Sequence, residues 1–275
     1  MTVTQRIIKY LSIAFAIFLI ATIVSGILSG VYGLLNAIGL INKNKELITK
    51  ELGVISTEVK DISSLNIDLA CTNLEIKTGD VFKVEANNSK ITFEENNGSV
   101  KIKEKSRNIL KGSDITSNLI VYIPEDMKQI DETTIKTGAG KVNIKELNTK
   151  GLHLELGAGD VYIENAMVTQ ESKIDGGIGK TELKSCELNN LKANLGVGEF
   201  NFSGKLIGKS EIDSGVGAVN IRLNDNKTNY KFDVNKGIGK VTLDKQNNVT
   251  DGTYGDGENY LALNGGIGEI KIEFI

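Results

Sequence analysis

From residue 131 to residue 275 apolar and polar side chains alternate, and the alternation restarts at intervals of 19 to 29 residues around a Gly-x-Gly. The copies begin at Gly138, Gly157, Gly177, Gly196, Gly215, Gly237 and Gly266. Three residues before each first glycine stands Ile135, Leu154, Ile174, Ala193, Ile212, Val234 or Leu263, and the residue after it is always Lys, Glu, Asp or Asn. Four and six residues after the first glycine come pairs such as Val142 with Ile144, Phe200 with Phe202 and Ile270 with Ile272. Period two marks a half-buried strand, so each copy predicts two short strands sharing a core. The residue between the glycines is Ala, Ile or Val and is predicted to face that core as well. The inward parity then slips by one before the second strand, and a slip needs a corner or bulge. Gly140, Gly159, Gly179, Gly198, Gly217, Gly239 and Gly268 lie at the slip. They are predicted as structural corners, where positive φ or the approach of a neighbouring backbone excludes a Cβ.

One such coil cannot bury its inward side chains alone, whereas coils stacked about 4.8 Å apart bury a continuous core. The pattern therefore predicts an all-β fold, a single-stranded β-solenoid of coils 19–20 residues long over 131–275. Residues 61–130 alternate without Gly-x-Gly, as in Leu65-x-Ile67-x-Leu69 and Val100-x-Ile102, with turns at Thr78-Gly79-Asp80 and Asn96-Asn97-Gly98. They are predicted as degenerate coils and hairpins that blunt the end of the stack.

The pattern is different before residue 43. Thirty-three consecutive uncharged residues separate Lys9 from Lys43. Their most apolar part, residues 11–35, makes a helix of about 37 Å at 1.5 Å per residue, enough to cross a hydrocarbon core of about 30 Å. Residues 1–42 are thus predicted as an N-terminal membrane anchor with one transmembrane α-helix, and residues 43–60 as a juxtamembrane linker. A cleaved secretory signal is the other reading, with Val24-Ser25-Gly26 as the small-residue site, but the apolar run continues well past it. Arg6 and Lys9 favour a cytoplasmic N-terminus, which places the long C-terminal part on the extracytoplasmic side.

Setting aside Arg6 and Lys9 leaves 30 basic against 35 acidic residues, a formal charge of −5. That sign opposes nucleic-acid binding, which needs clustered Lys and Arg. Cys71 and Cys186 are too few for a disulfide framework and have no metal spacing. Both read as small buried hydrophobes, with a mutual disulfide as the alternative.

The strand Leu65-x-Ile67, the strand ending Val121-Tyr122-Ile123-Pro124 and copies such as LHLELGAGDVYIEN and SKIDGGIGKTELKS together resemble a bacterial family of β-strand repeats, described as a "putative adhesin" domain of unknown function. The resemblance covers residues 61–275. It departs from the family's Ser-Gly-Asp-like corner, keeping the aspartate only at Asp160. It implies a cell-envelope location behind a membrane segment, with binding or stress-related roles, and no catalytic residue to carry over.

Residue chemistry adds little to that. Gly-Gly-x-Gly at 176–179 and 265–268 lacks the nine-residue tandem of calcium β-rolls and the following helix of dinucleotide loops. His153 sits at an outward position with no nucleophile placed near it in the pattern, and Asp160, Glu182 and Glu199 read as a solvated face. The insertion DKQNNVTDGTYGDGENY before the last copy places Asp251, Asp256 and Glu258 among glycines, the one candidate set for Ca²⁺. No cofactor is expected. The sequence reading is a non-enzymatic, membrane-anchored binding or scaffold module, its partner another envelope protein or a cell-wall glycan. The alternative is a β-helix glycan hydrolase or lyase, which rests on fold analogy alone.

Overall fold

Alternating sequence becomes alternating burial along each strand, inward residues in Ser64–Leu69 and Tyr230–Asn235 being buried and their neighbours not. The structure is a computed structural model that describes residues 53–57, 59, 61–105, 117–127, 129–246 and 249–275. The predicted membrane segment 11–35 and most of the linker 43–60 lie outside these residues. No described helix is long and apolar enough to cross a membrane.

The described residues form an all-β, solenoid-like stack. Nine coils, each a pair of strands, are numbered here in chain order. Coil 1 is Ser64–Leu69 with Asn73–Gly79, and coil 2 is Ser99–Glu104 with Asn118–Pro124. Coil 3 is Ile130–Ala139 with Val142–Ile144, coil 4 is Leu147–Ala158 with Val161–Glu164, and coil 5 is Ala166–Asp175 with Ile178–Asn189. Coil 6 is Leu191–Asn194 with Val197–Ile207, and coil 7 is Lys209–Asp213 with Val216–Leu223. Coil 8 is Tyr230–Asn235 with Ile238–Leu243, and coil 9 is Asn259–Asn264 with Ile267–Phe274. Equivalent residues of neighbouring coils pair in parallel, for example Leu154 with Ile174 and Ile178 with Val197.

Chain order and spatial order differ at both ends. Coil 1 lies between coils 2 and 3, because Ser64–Leu69 pairs with Ser99–Glu104 on one side and Ile130–Ala139 on the other. Coil 9 lies between coils 7 and 8: Ile267–Phe274 pairs with both Val216–Leu223 and Ile238–Leu243. The stack therefore reads 2-1-3-4-5-6-7-9-8. Antiparallel strands cover its ends, Lys83–Ala86 and Ile91–Asn96 against coil 2 and Gly252–Tyr254 against coil 8. Such covering blunts edges that would otherwise template pairing with another chain.

The core follows the predicted positions three before the first glycine and six after it, which are buried in every copy. The residue between the glycines does not: only Ala139 is buried, Ile178, Val197, Val216 and Ile267 are half-buried, and Ile238 is 57% exposed. The parity slip has already begun there, so the side chain stands at the rim of the corner instead of entering the core. Coils 4 to 6 also have a third short side, seen in the pairings Leu147–Thr149 with Ala166–Val168 and Cys186–Asn189 with Gly204–Ile207. Its corners use Asn165, Ser185 and Gly204, all at positive φ. Asn tolerates that conformation better than most residues and glycine adopts it freely, so short polar residues and Gly occupy the turn.

Candidate functional site

The glycines form two columns along the stack. A Cβ at Gly157, Gly177, Gly196, Gly215 or Gly266 would collide with the carbonyl oxygen of the first glycine in the neighbouring coil. The second glycines repeat this: Gly159 would meet Gly140, Gly179 would meet Gly159, Gly198 would meet Gly179, and Gly217 would meet Gly198. At the far end Gly268 would meet Gly217 and Gly239 would meet Gly268, matching the spatial order of coils 7, 9 and 8. Gly140, Gly159, Gly179, Gly198, Gly217 and Gly268 have φ between +138 and +144, whereas Gly239 is not at positive φ. Between the columns and the flanking Leu156, Ile178, Leu195, Val197 and Val216 lies a cleft of about 40 Å³. That is room for a few waters, far below the roughly 300 Å³ of a small-molecule pocket.

The outer faces carry rows of polar side chains. On the strands before the glycines, Lys136 pairs with Glu155 at 2.6 Å, and Asn194 donates to Asp175 at 2.7 Å. His153 Nε2 stands between the two carboxylates, 3.4 Å from Glu155 and 3.3 Å from Asp175, so it is half-buried in a row of polar groups and not simply solvated. The Lys173 ammonium, with Asn194 and then His153 adding to it, holds Asp175 down at about 2. Lys136 likewise holds Glu155 below the usual carboxylate range.

On the strands after the glycines the rows enclose an open hollow of about 530 Å³, with Lys180, Lys184, Glu199, Asn201, Asn220 and Arg222 among its lining. Within it Asn220 donates to Asn201 at 2.9 Å, Asn201 donates to Glu199 at 2.9 Å, and Lys180 pairs with Glu182 at 2.7 Å. Lys184 reaches back one coil to Glu164 at 2.7 Å, and Arg222 lies 3.6 Å from Glu273. The carboxylates predicted as a solvated face are thus each tied to a lysine or an amide, Asp160 accepting from the Lys180 backbone at 3.4 Å. This arrangement presents donors and acceptors in repeated rows rather than converging them on one reacting atom.

The calcium candidates are not brought together. Asp251 accepts from the backbone N–H of Lys236 at 2.9 Å, and Asp256 and Glu258 are exposed. Among the described residues no group of three or more acidic, histidine or cysteine side chains is placed to hold a metal ion. The glycines of this insertion have another use. Gly252–Tyr254 pairs with one edge of Tyr230–Asn235 and Asn259–Asn264 with the other, so residues 255–258 cross from edge to edge over the start of that strand. A Cβ at Gly255 would meet the Tyr230 carbonyl, and one at Gly257 the Asn229–Tyr230 peptide.

Cys71 and Cys186 are not joined by a disulfide. Cys186 is buried, its thiol pushed up to about 11 by desolvation, while Cys71 is only half-buried, unlike the expectation for it. Sequence reasoning also missed Glu104. Its buried carboxylate accepts from the backbone N–H groups of Ala70 at 2.9 Å and Cys71 at 2.8 Å, and from Asn88 at 3.0 Å.

A family model described as Toastrack DUF4097 matches residues 62–273. No curated protein matches the chain. Similar solved structures include a "putative cell adhesion protein" from Clostridium sporogenes, 17% identical, with 82% of this chain and 98% of that one covered and a TM-score of 0.37. A "putative adhesin" from Bacteroides fragilis is 17% identical over 82% of this chain and 99% of its own, with a TM-score of 0.40. A "putative lipid binding protein" from Parabacteroides distasonis is 15% identical over 82% and 98%, with a TM-score of 0.38.

Proposed function

Since the chain belongs to the Toastrack family, we propose that it is a membrane-anchored binding or scaffold module of a bacterial envelope and carries out no chemistry of its own. In this reading residues 11–35 cross the membrane, residues 43–52 lead from the anchor to the strand Gly53–Thr57, which pairs with Lys83–Ala86 where a linker was expected, and the coils lie on the extracytoplasmic side. The observation that supports it best is the polar hollow over coils 5, 6, 7 and 9, whose amides and charges recur in rows from one coil to the next. Strands in a sheet repeat at about 4.8 Å, so such rows suit an extended polar polymer that offers hydroxyl and amide groups at regular intervals. A cell-wall glycan has that chemistry, and a hollow of mixed sign repels neither a neutral nor a weakly charged one. The lysines and arginine are each matched by a carboxylate, which argues against a dedicated anion site.

The test is co-sedimentation of the detergent-solubilised full chain with purified cell-wall material. The unaltered chain should pellet with the wall. Asn201→Ala combined with Asn220→Ala should reduce the bound fraction severalfold at unchanged thermal stability. Equal pelleting of the variant would remove the hollow from the reading, and failure of the unaltered chain to pellet would leave a protein partner as the ligand class.

A further inference from the structure

The outer row that begins at Tyr162, one coil before the polar hollow, carries an inference about the polymer the hollow takes. Tyr162 pairs with Glu182, Glu182 with Asn201 and Asn201 with Asn220, so coils 4 to 7 place these four side chains in line along the stack. Tyr162 is half-buried, and burial, followed by the Glu164 carboxylate beside it, raises its hydroxyl above the usual phenol range. Glu164 stands two residues ahead on the same strand and face, so the hydroxyl is turned along the strand and the ring lies along the sheet with one face outward. Tyr122, on the second strand of coil 2, is different: the ammonium groups of Lys77 and Lys83 stand 5.0 and 5.3 Å from its ring centre. Among the described residues no ammonium group and no second ring covers Tyr162 in that way. Resting on the reading of the hollow as a glycan surface, we propose that Tyr162 is a stacking platform for one pyranose ring of a 1,4-linked polymer that lies along the stack, one ring to each coil.

The C–H groups on one face of a pyranose are weakly positive and meet the electron-rich face of an aromatic ring, while the sugar hydroxyls remain at the rim for polar partners. The following coils supply those partners. Asn220 donates to Asn201 and Asn201 to Glu199, both at 2.9 Å, so each amide uses one N–H and keeps the other. The Asn220 carbonyl oxygen has no partner among the described residues and adds an acceptor. The repeat matches as well. An equatorially linked pyranose chain advances by roughly one coil spacing, about 4.8 Å, per sugar, so a ring on Tyr162 brings the next ones over Glu182, Asn201 and Asn220 in turn. A ring-free polymer such as a polyol phosphate has no face to lay on the tyrosine, and the neighbouring Lys180 and Lys184 are already paired with Glu182 and Glu164.

The test is calorimetric binding of chito-oligosaccharides, which are 1,4-linked and uncharged, to the full chain in a detergent without a sugar headgroup. Affinity should climb with each sugar from two to four and little beyond. Tyr162→Ala should weaken binding of the four-sugar ligand severalfold at an unchanged thermal midpoint, whereas Tyr162→Phe, which keeps the ring, should retain most of it. Tyr122→Ala, which removes a ring already covered by lysines, should leave affinity unchanged. Equal binding by Tyr162→Ala, while Asn201→Ala with Asn220→Ala weakens it, would remove the platform and keep the hollow as the glycan surface. A chain that pellets with cell-wall material but binds no oligosaccharide of any length would overturn the proposal alone. One that does neither would overturn the reading of the hollow with it.

Discussion

Gly179 and Gly252 share nearly the same backbone conformation, with φ of +140 and +142, but differ in what surrounds them. A Cβ at Gly179 would run into the Gly159 carbonyl of the next coil, whereas one at Gly252 has nothing within 4 Å. Both substitutions to alanine incur the strain of an unfavourable conformation, about 1–3 kcal/mol. Only Gly179→Ala should add a backbone collision, so its thermal midpoint should fall well below that of Gly252→Ala. Lys180→Ala, next to it but in an exposed ion pair with Glu182, should change stability by no more than about 1 kcal/mol. Equal midpoints for the two glycine variants would show that conformation alone, and not close approach of coils, accounts for the glycine columns. These positions are legible in the sequence because a residue without a side chain, recurring where the inward parity slips, marks a place that has no room for a Cβ. The rim position of Ile178 or Val197 is not legible, since apolarity and alternation look the same for a residue lining a shallow cleft and one in a core.

Regular corners in the stack share a hydrogen bond in which the residue between the glycines donates to the first-glycine carbonyl of the neighbouring coil. Examples are Val197 N to Gly177 O and Ile267 N to Gly215 O, both at 2.9 Å. In coil 1 the equivalent donor is Cys71 N, and it donates to the Glu104 carboxylate, as does Ala70 N. One side chain thus substitutes for the backbone of a coil at the corner where the regular repeat gives way to the cap. Leaving two half-buried donors without their acceptor costs toward the lower end of about 1–3 kcal/mol each, so Glu104→Ala should lower stability by roughly 2–4 kcal/mol. Glu104→Gln, whose one oxygen can still accept from both backbone N–H groups while its amide loses the bond from Asn88, should lose clearly less. A Glu104→Ala chain whose unfolding midpoint in denaturant matches the unaltered one would exclude this capping role. Nothing in the sequence marks Glu104, because its backbone partners lie more than 30 residues away and its position in the strand is one that alternation assigns to the core. The order of coils 8 and 9 is hidden for a related reason. Both carry the same pattern, so spacing says that a copy is present but not which neighbour it joins, and only Gly255 and Gly257, read first as part of a ligand loop, mark the crossing.

At the scale of the whole molecule, nine coils at about 4.8 Å give a stack near 40 Å long, with polar rows outside and aliphatic rows within. The fold class was readable because each coil repeats the same burial problem and solves it in the same way. A surface has no such constraint: outward residues are free to vary from coil to coil, so the hollow around Asn201 and Asn220 has no signature in the alternation. In the proposed anchored reading, what that surface meets depends on the side of the membrane it occupies, and Arg6, Lys9 and the apolar run after them, on which that reading rests, precede the coils. If the N-terminus is cytoplasmic and the chain crosses once, as proposed, every coil is outside the cell membrane. Thr253, exposed in the strand that covers coil 8, is then open to the medium. A chain with Thr253→Cys, labelled in intact cells by a membrane-impermeant thiol reagent, should take up the label well above the unaltered chain, whose half-buried Cys71 and buried Cys186 set the background. Labelling that appears only after the cells are broken would place the coils in the cytoplasm and, with them, rule out any contact with the wall.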